Sequence, residues 1–526
     1  MKKQLIFILV VMLIVTALFT ACNEKETTTT TTTGPEVHVC VAGKWLITKY
    51  PTDVEEGIEQ KVCVDCGAVL EEKALAGSQG LAYALVGNTY EVTGIGTCTD
   101  SDIVIPSTYN GLPVSAINES AFNGYTAIVS VVLGDRITTI EANAFRSCTS
   151  LTKVTLSESV SNIADGAFYG CTLLNDVYFN GDLMGWLNIE FKGSTANPTN
   201  NGTNLYIEGD LVENLYIPDN VIIVPQYAFI NCKSIKTLDV HDSVRSIDAH
   251  AFENCAELVT VQLGNEVNRI SDYAFSNCSK IKEVVIPNNV RIISAYAFNK
   301  CTSIETFTFG ESVMSIGEGA LQDCTTIRTL NLNEGIQVIN NNAFNNCINV
   351  EKVNYSGTAD TWVGIKFMNA SANPMQLNKA KAYFNGQSVE HVVINEATYI
   401  NAYAFYKCSS LRSVTLGDNV THIDDYAFYD CNSLTKATFN CTVDQYAFAE
   451  CDYLSSVSAG INMTSIGNYA FQNDKYLTSF TYAGAQSQWD AMSKGSGWNS
   501  GVHANFTVTC TGVEPEPEVD PETEAE

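Results

Sequence analysis

Residues 258–280 read LVTVQLGNEVNRISDYAFSNCSK, and this stretch decides the fold. Its apolar positions are Leu258, Val261, Leu263, Val267, Ile270, Ala274, Phe275 and Cys278. The V-x-L step alternates with the period of two that a short strand requires. The V-x-x-I step turns along the opposite side, and A-F-x-x-C makes a tight helical turn back to the next strand. Phe275 needs space that only a small neighbour leaves, hence Ala274 before it. The A-F phrase returns every 23 residues, ending at Phe122, Phe145, Phe168, Phe229, Phe252, Phe275, Phe298, Phe344, Phe405, Phe428, Phe448 and Phe471, with Leu321 completing thirteen copies. Eleven copies carry Cys three residues later, from Cys148 to Cys451; the first and last carry Tyr125 and Asp474. A unit this short cannot bury its own apolar face, so neighbours must stack into a solenoid around one core. Successive strands then pair in parallel about 4.8 Å apart. The cysteine column reads as core thiols, because stacked Cβ atoms point the same way and stay beyond the ~3.8 Å that a bridge wants.

The pattern resembles the leucine-rich repeats of the BspA-like, or Treponema-type, family from about Leu81 to Cys510. The segment from Tyr90 to Val114 also looks like that family's usual opening and caps the first coil. The expected fold is a leucine-rich repeat solenoid, a β-rich right-handed superhelix with parallel sheet and short helical turns, preceded by a small cysteine module. The resemblance implies adhesion to host or neighbouring-cell proteins, with extracellular-matrix binding known among members.

The period breaks twice by the same amount: Cys171 to Cys232 and Cys347 to Cys408 each span 61 residues. Trp186, Trp362 and Trp489 each follow a repeat Phe by eighteen residues, within insert units near 180–214, 355–390 and 482–512. Ala196-Asn197-Pro198 and Ala372-Asn373-Pro374 follow the first two. Such Trp units fit the same resemblance. Trp can stack on sugars or partners, or fill a wider coil at a segment boundary. One repeat is three residues short at Cys441-Thr442-Val443, so a corner there must tighten.

Acidic side chains outnumber basic ones, 58 to 29, for a formal net charge of −29. That balance disfavours nucleic acid and anionic membrane surfaces, leaving membrane attachment to an anchor. Residues 1–21 read as a signal peptide. Their end resembles a bacterial lipobox with Cys22 as the lipid attachment site, although Phe19 stands where Leu is usual. A plainly secreted chain is the alternative. Residues 22–35, with seven consecutive threonines, read as a lipid-anchored spacer, and 513–526 as an acidic disordered tail. The solenoid is assigned to 81–512.

Between them, 36–76 form a small Cys/His module. Cys63-Val64-Asp65-Cys66-Gly67 has the spacing of a metal knuckle, and His38 and Cys40 would complete four ligands for a structural zinc. The segment 45–72 is similar to cysteine modules on bacterial surface proteins, with Asp53 where a Cys is often found. A disulfide is the other reading. No cofactor is otherwise required.

No catalytic motif stands out. The six His fall in no metalloprotease pattern, two S-x-x-K matches share one repeat phase, and Asp424-Asp425 reads as a solvated turn. The chain therefore reads as a non-enzymatic, extracellular bacterial surface protein that binds a protein or glycan. Ligand candidates are the outward strand residues Tyr178, Gln262, Thr308 and Asn331, together with the three Trp. A spacer or scaffold without a dedicated ligand, and glycan capture by clustered aromatic rings, are the alternatives.

Overall fold

The computed structural model describes Cys40, residues 43–377 and residues 380–514. The expected signal peptide and threonine spacer, Cys22, His38 and the acidic residues after Glu514 lie outside the described residues. The chain divides into two compact units. One runs to Glu213 and includes Tyr227–Ser234; the other takes Asn214–Gln226 and the chain from Ile235. Each is a parallel-sheet β-solenoid.

Every coil contributes two strands. The V-x-L residues form the longer one, so that Leu238 lies opposite Val261, and Phe307 opposite Leu330. The residues ending in Ile form a second strand of two residues, with Ile270 opposite Ile293 and Ile293 opposite Ile316. Val284, Phe307, Leu330 and every one of those Ile are buried, as period-2 alternation requires.

The A-F-x-x-C corner is a turn rather than a helix. Cys278 N–H donates to Phe275 O at 3.3 Å, while Phe275 N–H donates to Ala297 O of the next coil at 2.8 Å. Tyr273 and Asn277 on either side are left-handed, with φ of 57° and 59°. The Tyr273, Phe275 and Asn277 N–H groups thereby donate along the stack to Ala295, Ala297 and Asn299 O, while those of Ala274 and Ser276 donate within the coil, an alternation no α-helix allows. Among the described residues α-helix is confined to the inserts, at Leu183–Leu187, Ala359–Trp362 and Gln486–Ala491.

A left-handed residue costs about 1–2 kcal/mol. Burying one Phe returns about 1.5–3 kcal/mol, and the rings also stack on one another. Phe252 and Phe275 have ring centroids 5.3 Å apart, Phe275 and Phe298 5.2 Å, and Phe428 and Phe448 4.9 Å, all within 8° of parallel. Leu321 interrupts the column. Phe298 turns instead to Phe307 on the strand, edge to face at 5.1 Å.

The thiols do more than fill space. Cys278, Cys301 and Cys324 each donate to a Phe carbonyl of the preceding coil at 3.1 Å. Asp474, in the last copy, makes a different bond to the preceding coil, accepting Cys451 N–H at 2.9 Å, and burial holds its carboxyl well above the usual range. The short repeat passes from strand Lys436–Phe439 to strand Thr442–Val443 across Asn440 and a buried Cys441 alone.

Burial pushes the Cys301 and Cys347 thiols from 9.0 up to about 12. The folded state therefore favours the neutral thiol; its contribution is complete below pH 9 and falls as pH rises toward 12. Buried tyrosines titrate in the same direction. Alkaline unfolding followed by circular dichroism should lose stability across that window, and Cys301→Ala should show a shallower slope than the wild type. Equal slopes would rule out the thiols as its source.

Candidate binding surfaces

In the first unit the cysteine module covers the surface expected to bind. Strands β1 (Lys44–Lys49), β2 (Gly57–Val62) and β3 (Val69–Leu75) form an antiparallel sheet. Its Trp45, Ile47 and Leu75 face Val132, Thr155 and Tyr178 of the solenoid across a gap of about 230 Å³. Asn180 Nδ2 donates to Tyr50 Oη at 2.6 Å, and burial pushes that phenol up to about 12. Lys44 pairs with Asp210 at 2.5 Å. Asp53, which departs from the resembled pattern, accepts Thr108 Oγ1 at 2.6 Å and Gly111 N–H at 3.0 Å. The Thr108 bond, and then the Gly111 bond, hold its carboxyl below the usual range. Asp53 thus ties the module to the solenoid.

One sequence expectation changes as a result. Thr155, which pairs with Tyr178 on the neighbouring strand, is only 4% exposed. Tyr178 is no open contact residue: its ring stacks on Tyr206 at 4.2 Å, and Lys153 Nζ sits 4.4 Å from its centroid.

In the second unit the other outward candidates form a polar ladder. Asn354 Nδ2 donates to Asn331 Oδ1 at 2.7 Å, and Asn331 Nδ2 donates to Thr308 Oγ1 at 2.9 Å. Gln262, Val285 and Val393 on the same kind of strand are exposed.

The three tryptophans are packing residues, which corrects their standing as ligand contacts. Trp186 and Trp362 are fully buried and Trp489 is 7% exposed. Trp186 Nε1 donates to Ala228 O at 2.9 Å, and Trp362 Nε1 to Ala404 O at 2.7 Å. Asn197 and Asn373 give their amides to the same two carbonyls at 3.0 and 2.9 Å. Where an insert replaces a regular coil, Trp and Asn supply the donors that a repeat Phe N–H provides elsewhere. That need explains the recurring Trp and Ala-Asn-Pro phrases.

A tyrosine column is the feature that sequence reasoning missed. The residue before Ala-Phe is Tyr at positions 227, 273, 296, 403, 426, 446 and 469, and the last four fall on consecutive coils. Their rings stack at 5.5, 5.0 and 5.1 Å. All four are left-handed, and a second pair, Tyr406 and Tyr429, stacks alongside at 5.2 Å. The signal was Y-A-F recurring at one phase. Because the rings cover one another's faces, the column presents edges and hydroxyls rather than platforms for sugar stacking.

Nearby, pairing of the strand His422–Ile423 with Thr442–Val443 brings Asp444 to His422. His422 Nε2 lies 2.6 Å from Asp444 Oδ2 and 3.6 Å from Asp424 Oδ1. Burial raises the Asp424 carboxyl, opposed by His422 and aided by Asp444. Of the expected solvated pair, Asp425 is exposed, while Asp424 is half-buried against His422 and Asp444. Such a set can hold a divalent cation or an imidazolium.

In the module, Cys40, Cys63 and Cys66 converge with their sulfurs within 4.8 Å of one another. Gly67 N–H donates to Cys63 O at 2.9 Å, and Gly67 has φ of 70°, closing a knuckle. The Cys40 and Cys66 sulfurs are 3.8 Å apart. Two thiolates ~2.3 Å from a tetrahedral zinc would be ~3.8 Å apart, whereas a disulfide requires ~2.0 Å. The three described thiols fit zinc.

The family description "BspA type Leucine rich repeat region" matches residues 97–197, 199–327, 268–373 and 378–491. The chain belongs to this family. Among solved structures, a leucine-rich repeat protein from Bacteroides ovatus is 20% identical, covering 82% of this chain and 98% of its own, with a TM-score of 0.49. A leucine-rich cell surface protein from Faecalibacterium prausnitzii is 22% identical over 79% and 96%, with a TM-score of 0.35. The pneumococcal vaccine antigen PcpA is 12% identical over 83% and 98%, with a TM-score of 0.34. No curated protein matches. Among the described residues, no helix is long and apolar enough to cross a membrane.

Proposed function

We propose that this BspA-type protein is a bacterial cell-surface adhesin, lipidated at Cys22, that takes an extracellular protein partner on the strand face of its second unit. The observation that carries this reading is the Thr308–Asn331–Asn354 ladder. Its amides and hydroxyls are fixed on a parallel sheet, so their orientation is set before a partner arrives and little side-chain entropy is lost on binding. The comparable face of the first unit carries the cysteine module. Glycan capture by ring stacking is disfavoured, since the indoles are buried and the tyrosine faces cover one another. The role is non-catalytic. The module holds a structural zinc on His38, Cys40, Cys63 and Cys66.

Binding of the full chain to an array of matrix proteins at physiological salt should give a saturable hit. Asn331→Ala combined with Thr308→Ala should weaken that hit by about tenfold, as for loss of one or two interfacial hydrogen bonds, with unfolding unchanged. Undiminished binding would move the site off this face. Metal analysis of the purified chain should find one zinc per chain, lost in Cys63→Ser; a metal-free chain with oxidised module cysteines would establish the disulfide instead.

A further inference from the structure

We infer that the second unit carries a separate site for acidic saccharides, sugars bearing carboxylate or sulfate, on its second sheet around Arg269 and Arg291. The chain has seven arginines. Arg136, Arg328 and Arg412 pair with Asp135, Glu351 and Glu390, and Arg146 lies over the Tyr169 ring. The remaining three, Arg245, Arg269 and Arg291, are exposed, occupy consecutive coils, and have no ion-pair partner among the described residues. Acidic groups outnumber basic ones two to one here, 58 against 29. Three neighbouring guanidiniums outside any ion pair therefore form a local reversal of the chain's field, with Glu266 the one carboxylate lining the groove beside them.

The reversal coincides with a groove. Glu266, Asn268, Arg269, Asn289, Arg291 and Ser312 line an open depression of about 520 Å³. It is built on a rigid base: Ile270 and Ile293 beneath it are fully buried, and their strands pair in register. A guanidinium presents parallel N–H donors that match a carboxylate or a sulfate. The Asn amides and the Ser312 hydroxyl both donate and accept. Asn289 already spends its amide on Asn265 O at 2.9 Å, which leaves its Oδ1 to accept.

Glu266 selects among anions. It only accepts, so it repels a ligand that brings charge alone and favours one that brings hydroxyl donors beside its charge. An acidic sugar does this; an acidic peptide sets further carboxylates against Glu266. Ile292 is the one apolar side chain in the lining, so the groove has no enclosed pocket for peptide side chains. This site is independent of the strand-face reading, because its residues lie on the other sheet.

The test measures binding of the full chain to heparin, polygalacturonate, neutral dextran and polyglutamate, by calorimetry at low and physiological salt. Heparin or polygalacturonate should bind, more weakly as salt rises, and dextran should not. The double variant Arg269→Ala, Arg291→Ala should lose at least about tenfold in affinity, with its thermal unfolding unchanged. Arg291→Lys, which keeps the charge but loses the fork, should fall between. Glu266→Gln should weaken saccharide binding and strengthen polyglutamate binding. Failure of both acidic saccharides to bind, equal affinity in the double variant, or polyglutamate binding as tightly as the saccharides would each overturn the proposal.

Discussion

The constraint on which the rest depends is that no coil can cover its own Phe, Ile and Cys. Each needs a neighbour above and below, and the Phe N–H to Ala C=O bond along the stack sets their spacing. Once that spacing is fixed, any residue meets its equivalent 23 positions away. Lys280 pairs with Glu257, Arg328 with Glu351 and Lys475 with Asp452, each across one coil. Asn277 bonds Asn254 in the same manner. Surface pairs of this kind contribute little individually, but they show how completely one repeat length organises the exterior as well as the core.

The same constraint dictates what happens where the repeat fails. At each of the first two inserts a regular corner loses its partner coil, and a buried Trp with an Asn takes over the bonds to the next Ala carbonyl. At Leu321 the missing ring is replaced from the strand by Phe307. At Asp474 a carboxyl that accepts Cys451 N–H stands in for the thiol's bond to a Phe carbonyl and leaves Oδ2 buried without a hydrogen-bond partner.

The sequence made the core legible because periodicity is a local property. Val261, Ile270, Ala274, Phe275 and Cys278 could be placed by spacing alone, and the thiols' burial followed. What it hid depends on contacts between distant residues or on features outside the consensus. Asn180 and Tyr50, 130 positions apart, meet only because the module folds back onto the strand face, and this contact removed Thr155 and Tyr178 from the open surface. Asp53 looked like a missing metal ligand and proved to be a tether. The residue before Ala-Phe varies in type along the chain, so the tyrosine column escaped notice, and His422 meets Asp444 across paired strands whose neighbours the local sequence does not name. In the second unit, strand face, second sheet and tyrosine corner are thus three chemically distinct surfaces on one frame: polar and neutral, locally cationic, and aromatic at its edges.

Native-state hydrogen exchange of the repeat Phe amides tests this account most directly. If stacking is the source of order, the Phe275, Phe298 and Phe428 amides, each bonded to the next coil, should exchange only through a shared large opening. A Phe275→Ala change should then accelerate exchange at Phe252 and Phe298 together with its own coil. Exchange of each coil at its own rate, with the effect of Phe275→Ala confined to its coil, would contradict the claim that the column holds the solenoid together.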